Sequence, residues 1–416
     1  MSFKTTFWIR FSIFNLMLVA LLGLLMRYKI LFEFPLLDQK SVQHSHSHFA
    51  FAGWVTHTLM TLLIAFLQKH DTLNKITFKK YNLVLIGNLI CSYVMLISFI
   101  MQGYGVISIT FSTLSIFVSY WFAYAFFKDC KQLETTSIAT KWFKAALFFN
   151  VISSLGTFAL AYMMATKNIL QNEYLASIYY YLHFQYNGWF FFACMGLLMD
   201  YLNVTSNSNR IYSQSFIWLF WSCIAGYFLS TLWLNLPLVI YILTAISAIV
   251  QVVVWYLLFK TIFKENKSIF VTLPNYLKYL ILFISFALSA KFLLQLGSTV
   301  PAISKLAFGF RPIIIAYLHL ILLAIISLFL LFYIYVNNFI AVNKKTILGL
   351  VLFSIGVVLN EIVLGLQGIA SFSYTLIPNI NEALFGIAIL LFASILWTNL
   401  FAKKDKKVFF MIQRIK

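Results

Sequence analysis

The sequence predicts an all-α integral membrane protein, a single transmembrane domain over residues 1–416 with about twelve spanning helices. Three observations predict it. Of the 416 residues, 62% are hydrophobic and only 10% are charged, where a soluble domain carries about a quarter charged. Mean hydropathy is +0.90. The apolar residues fall in solid runs of the length needed to cross a hydrocarbon core, without the alternation of a barrel strand. A soluble enzyme, a disordered chain and a secreted disulfide scaffold are excluded.

The runs lie at 6–32, 43–68, 82–102, 105–127, 142–166, 175–200, 211–232, 236–263, 277–297, 311–336, 346–367 and 380–402. The first is too long for a signal-peptide core and has no small-residue cleavage site after it, so it reads as a retained span. Two separations are short: Gln-Gly-Tyr-Gly at 102–105 and Leu-Trp-Leu-Asn-Leu-Pro at 232–237. Both read as hairpin turns, because a fused helix would be far longer than a bilayer is thick.

The net charge is +19. In a soluble protein this would suggest nucleic acid. Here it reads as basic loops against an anionic leaflet, with the bilayer as the partner and no nucleic acid. With an internal N-terminus, 23 of the 30 Lys and Arg residues fall in inside segments and 7 in outside ones. That asymmetry places both termini in the cytoplasm, and the protein in a bacterial inner (plasma) membrane. The four cysteines lack CxxC spacing and read as small buried residues.

Chemistry is expected at the histidines. Of seven, five lie between His44 and His70. His70, between Lys69 and Asp71, reads as a solvated loop residue. In the inside-out numbering of the spans, His48, His183 and His319 lie about 9 to 12 Å below the outer ends of spans 2, 6 and 10, at about 1.5 Å per residue. Ionisable groups at that depth are costly and usually mark a site, and neutral imidazole is the commonest metal ligand. Three at one depth is what a porphyrin or metal between helices needs. The competing account is interhelical hydrogen bonding.

Spans 2 and 6 share offsets: His48, Phe49, Gly53, Trp54 and Met60 match His183, Phe184, Gly188, Trp189 and Met195. The glycines would admit a neighbouring helix or a flat macrocycle. Span 10 keeps only Tyr317-Leu318-His319-Leu320. Within span 2, His44 and His48 share one stripe, about 40° apart at about 100° per residue, while His46 and His57 share another on roughly the opposite side. The motif match favours His48 for a common centre, with His46 as its rival. His44 is a supporting partner or part of a metal site at the outer mouth. With an unwound span start, His44, His46 and His48 would bind one surface ion together. Arg27, Arg311, Glu361 and Glu382 lie near outer span ends. Arg311 would hold a heme propionate or pair with Glu361 or Glu382. Lys291 is expected to snorkel and Asp200 to sit at the interface.

Twelve spans with both ends inside, and histidines in the outer halves of spans 2, 6 and 10, resemble subunit I of the heme-copper oxidase superfamily, which includes nitric oxide reductases and the more distant NnrS-like proteins. The resemblance implies an oxidase-like bundle. It implies non-covalent heme b held by His48 (or His46) and His319, and copper or non-heme iron at His183. The departures matter. Span 7 has no histidine. Span 10 has Tyr317 in place of a second one. Asn187 stands where the oxidases have tyrosine, and the paired arginines between spans 11 and 12 are missing. The expectation is therefore a heme-binding relative without a complete oxygen-reducing, proton-pumping centre. It would act in electron transfer or in handling nitric oxide or oxygen, an oxidoreductase at most, with an electron donor or respiratory-complex subunits as partners. The rival expectations are a metal-ion or small-solute transporter with a His-lined site, and a non-catalytic assembly protein of a respiratory complex.

Overall fold

The computed structural model describes residues 4–133, 137–205 and 208–403, and every regular element among them is helical. The long helices are α1 (Thr5–Leu31), α2 (Gln39–His70), α3 (Lys79–Gln102), α4 (Val106–Cys130), α5 (Ile138–Ala165), α6 (171–201), α7 (210–231), α8 (Leu238–Glu265), α9 (Asn275–Gly297), α10 (Arg311–Val336), α11 (Lys344–Phe372) and α12 (Ile380–Phe401). Ten of these are long and apolar enough to cross a membrane. Outside that ten stand α6, which carries Gln185, Asn187 and Asp200, and α7, which ends in a 3-10 turn over Gly226–Thr231. The chain is an integral membrane protein by these helices.

Both short separations are turns between distinct helices. Gly103 ends α3 at φ +59°, a left-handed conformation that glycine adopts without a Cβ penalty. Its N–H returns to Phe99 O. The basic tail after Lys403, which supplied much of the expected inside charge, lies outside the described residues.

Three helices make the centre. In α2, 78% of the apolar stretch is inside the protein, against 17% in α4. Four sets of contacts tie α2 to α6 and α10. Arg311 Nη2 donates to Gln43 Oε1 at 3.0 Å. Trp54 Nε1 donates to Ser327 Oγ at 2.8 Å. Trp189 Nε1 donates to Thr56 Oγ1 at 3.3 Å. Asp200 accepts from Lys69 at 3.1 Å, lies 2.8 Å from His70 Nε2, and accepts more weakly from Tyr333 at 3.5 Å. The partners advance together along all three sequences, so the three helices run parallel. Lipid gives helices no hydrophobic reason to associate, so packing and such bonds, about 0.6–2 kcal/mol each, hold the bundle.

Asp200 is 4% exposed and His70 one-quarter exposed. His70 is therefore a partner of a buried carboxylate rather than a solvated loop residue. Asp200 is the fastening of three helix ends, deeper than the interfacial position expected for it. The reason is spatial: α2 and α10 close over the end of α6, and a buried carboxylate needs donors.

Candidate functional site

Each central helix changes its winding at the same level. Ala50–Thr56 in α2, Phe184–Phe190 in α6 and Leu320–Ser327 in α10 are π-helical. The second of these begins directly after His183, the third directly after His319, and the first two residues after His48. A π turn carries one extra residue, misaligns its carbonyls and is frequent at functional sites. In lipid a released carbonyl must find a donor. Here Asn15 Nδ2 donates to Gly53 O at 2.5 Å and Asn88 Nδ2 to Ala52 O at 3.1 Å. Cys223 Sγ donates to Asn187 O at 3.6 Å, and Ser327 Oγ to Leu322 O at 2.7 Å. The isolated polar residues of the apolar runs are thus the other half of each π segment.

The shared Gly-Trp offsets serve packing. A Cβ on Gly188 would stand 2.5 Å from Phe149 Cβ on α5, and one on Gly53 would stand 2.7 Å from the Phe49 ring. The two tryptophans are the interhelical donors already described.

The histidines of α2 divide between two sides. His46 lies against α1: its Nδ1 is 3.1 Å from Val19 O, and its Cε1 would be 3.6 Å from a Cβ on Gly23. It is also in electrostatic range of His319. His319 repeats the arrangement, with Nδ1 2.8 Å from Ile315 O. A carbonyl at Nδ1 fixes the N–H there and leaves the Nε2 lone pair outward. Neither Nε2 has a hydrogen-bond partner among the described residues. Arg27, half-buried, is in electrostatic range of His319. Among the described residues, neither Arg27 nor Arg311 pairs with an acid, so the expected Arg311–Glu361 or Arg311–Glu382 pair is not formed.

His48 sits against α3. Its ring stacks on Phe99 at 4.3 Å and 22°, and its Nε2 is 3.2 Å from Tyr104 Oη. His44, on the same stripe, has its ring 4.6 Å from that of Tyr104. The helix is wound from Gln39, with Asp38 as its cap accepting from Ser41 N–H. That bond holds the Asp38 carboxyl below the usual carboxylate range. With the span start wound, His46 faces the other side, so the three rings of His44, His46 and His48 do not converge.

His183 is 1% exposed, and both of its nitrogens are engaged. Nε2 is 2.8 Å from Cys223 O, and Nδ1 is 3.1 Å from Asn187 Nδ2. Nδ1 accepts from the amide and Nε2–H donates to the carbonyl, so in this arrangement no lone pair remains for a metal. His57 is fully buried, with Trp8 at 5.8 Å, and neither ring nitrogen has a partner. Lys291 is 4% exposed and rests over the Phe292 ring at 4.1 Å. It does not snorkel, because α9 packs that position inward against α6. Glu361 accepts from Asn360 Nδ2 at 3.3 Å. All four cysteines are free and buried.

Among the described residues no three His, Cys, Asp or Glu side chains converge as a metal cage. What the site offers is two imidazoles on different helices, His46 of α2 and His319 of α10, in electrostatic range of each other. Tyr104, Val19, Gly23, Asn15 and Asn88 were not singled out from sequence. The only signals were isolated amides in apolar runs and a tyrosine between two glycines. No protein-family model matches the chain, and comparison with the curated proteins returns no match.

Proposed function

We propose that this chain is a membrane heme protein of the inner membrane, with about twelve spans and both termini cytoplasmic, allied to subunit I of the heme-copper oxidases. In this reading α6 and α7 also cross, completing the twelve. His46 of α2 and His319 of α10 would hold one non-covalent b-type heme. The observation that carries it is the matched pair of imidazoles, each with Nδ1 on a main-chain carbonyl and Nε2 without a partner. The donor set fits the group: neutral imidazoles on two helices, a glycine opposite His46, and two arginines at the same end without a carboxylate partner.

When bound, the heme would supply one-electron redox chemistry. The chain's own tasks are to set ligand identity, burial and charge. Val19 O and Ile315 O hold the tautomer and the ring planes. Arg27 and Arg311 would take the propionates in charge-assisted bonds. The α2–α6–α10 core keeps water from the ring faces. His48 is set aside as a ligand because its Nε2 is engaged by Tyr104. With His183 hydrogen-bonded on both sides and no histidine in α7, this reading places no copper or non-heme iron at His183. The function is electron transfer, or handling of nitric oxide or oxygen, without oxygen reduction to water.

The test is a dithionite-reduced minus oxidised spectrum of the detergent-purified protein with a hemochrome count. A sharp b-type band lost in His46→Ala and in His319→Ala, and kept in His48→Ala, is the expected result. A colourless protein from heme-sufficient cells would overturn the reading. Loss with His48→Ala and retention with His46→Ala would reverse the ligand choice.

A further inference from the structure

We propose that His44, His48 and Tyr104 bind one divalent transition-metal ion, copper(II) in preference to zinc, at the end of the bundle where α2 begins. The site does not depend on the heme reading, since neither His46 nor His319 takes part.

Histidines four apart on a helix present two nitrogens on one face, the spacing by which helical sites chelate zinc. His44 and His48 have that spacing, and both sit in the wound part of α2. The third donor arrives from the turn after α3. Gly103, at φ +59°, reverses the chain so that Tyr104 folds back over α2. Its hydroxyl stands 3.2 Å from His48 Nε2. Two donors each about 2.0–2.2 Å from one ion are about 2.8–3.1 Å apart at the right angle of a tetragonal copper(II) site and about 3.3–3.6 Å apart at a tetrahedral angle, so the observed separation needs only a small adjustment.

Two further features point to a ligand. His44 Nε2 is buried and has no hydrogen-bond partner among the described residues. Tyr104 is 53% exposed, so an ion can reach the donors from the bulk side. The backing is rigid: Phe99 stacks on His48 and meets the Tyr104 ring edge-on at 5.1 Å. Asp38 and Lys40 both act on His44 electrostatically, with opposite signs. Two imidazoles and a phenol, without thiolate or carboxylate, suit copper(II), which heads the affinity order for such donors.

Binding is a ligand exchange. The ion sheds water and takes the imidazole lone pairs, and the Tyr104 hydroxyl proton leaves to bulk water as the O–metal bond forms. No electrons move. Water completes the coordination.

The experiment is a copper(II) titration of the full-length protein in detergent, followed by electron paramagnetic resonance and visible absorption. One copper per chain, hyperfine structure from two nitrogens and a phenolate-to-copper charge-transfer band are expected. His44→Ala and His48→Ala should each weaken binding at least about ten-fold, since even outer partners of a metal ligand cost that much. Tyr104→Phe should remove the band and keep the nitrogen pattern, which separates ligation from a folding defect. His46→Ala and His319→Ala should leave the copper signal intact whatever they do to heme. Unchanged affinity in His44→Ala/His48→Ala, a spectrum without nitrogen hyperfine structure, or no copper bound at millimolar excess would each overturn the proposal.

Discussion

His46 and His48 lie two positions apart, and the helix sends them to different neighbours. A step of two is about 200° of rotation. One ring therefore meets Val19 on α1 and the other meets Phe99 on α3 and Tyr104 in the turn after it. Matching His48 to His183 by their shared offsets favours His48, whereas the reading proposed above takes His46, because the shared Gly and Trp residues serve helix packing. The proposed ligands can be told apart by their Nδ1 carbonyls, which no sequence pattern displays. Asp38 gives a residue-scale prediction. Its folded pKa is depressed by the Ser41 N–H, so its capping contribution is present above the unfolded value and is lost as pH falls through the folded one. The protection factors of amides 39–43, taken relative to the intrinsic exchange rate at each pH, should fall on acidification across that window, and those of Asp38→Ala should already be low at neutral pH. Protection that does not change in either case would remove the cap from the account.

At the scale of the element, the three π segments are the main finding. Each departs from α-helical winding at the level of its histidine, and each has a side chain donating to a carbonyl within it. Asn15→Leu should leave Gly53 O unsatisfied in an apolar setting, which costs about 1–3 kcal/mol. The cost should appear as a lowered unfolding temperature in detergent, and an unchanged one would show that water already serves that carbonyl. Gly188→Ala places a methyl on Phe149. Overpacking of a fitted contact costs about 1–3 kcal/mol, again read as thermal stability. The same substitution at Gly297, where nothing lies within 4 Å, should have no packing cost.

For the whole molecule, α2, α6 and α10 form a parallel core with the remaining helices around it. One end is fastened by Asp200, and the other holds the paired imidazoles and the arginines. Asp200→Ala removes bonds from Lys69, His70 and Tyr333 at once. Hydrogen bonds to a charged group are worth about 1.5–3 kcal/mol, and Lys69 is half exposed and contributes less. A stability loss near the middle of that range is expected, with the b-type spectrum of the folded fraction unchanged if the heme pair lies at the opposite end. A spectrum that shifts with Asp200→Ala would place the cofactor elsewhere.

The sequence by itself determined the class. Apolar runs long enough to span a bilayer, short turns between them and the asymmetry of basic residues follow from hydrophobicity and chain length, which are local properties. The helix limits follow the runs to within a few residues, and both glycine- or proline-marked breaks are turns. The isolated histidines were legible as the place to look. Tertiary structure decided which of them share a space. The different neighbours of His46 and His48, the pairing of His70 with Asp200, the burial of Lys291, and the saturation of His183 all depend on which helix lies opposite. The π segments of α2 and α6 depend on it too, because there a neighbouring helix brings the donor that receives the released carbonyl, whereas in α10 Ser327 serves Leu322 O from within the segment.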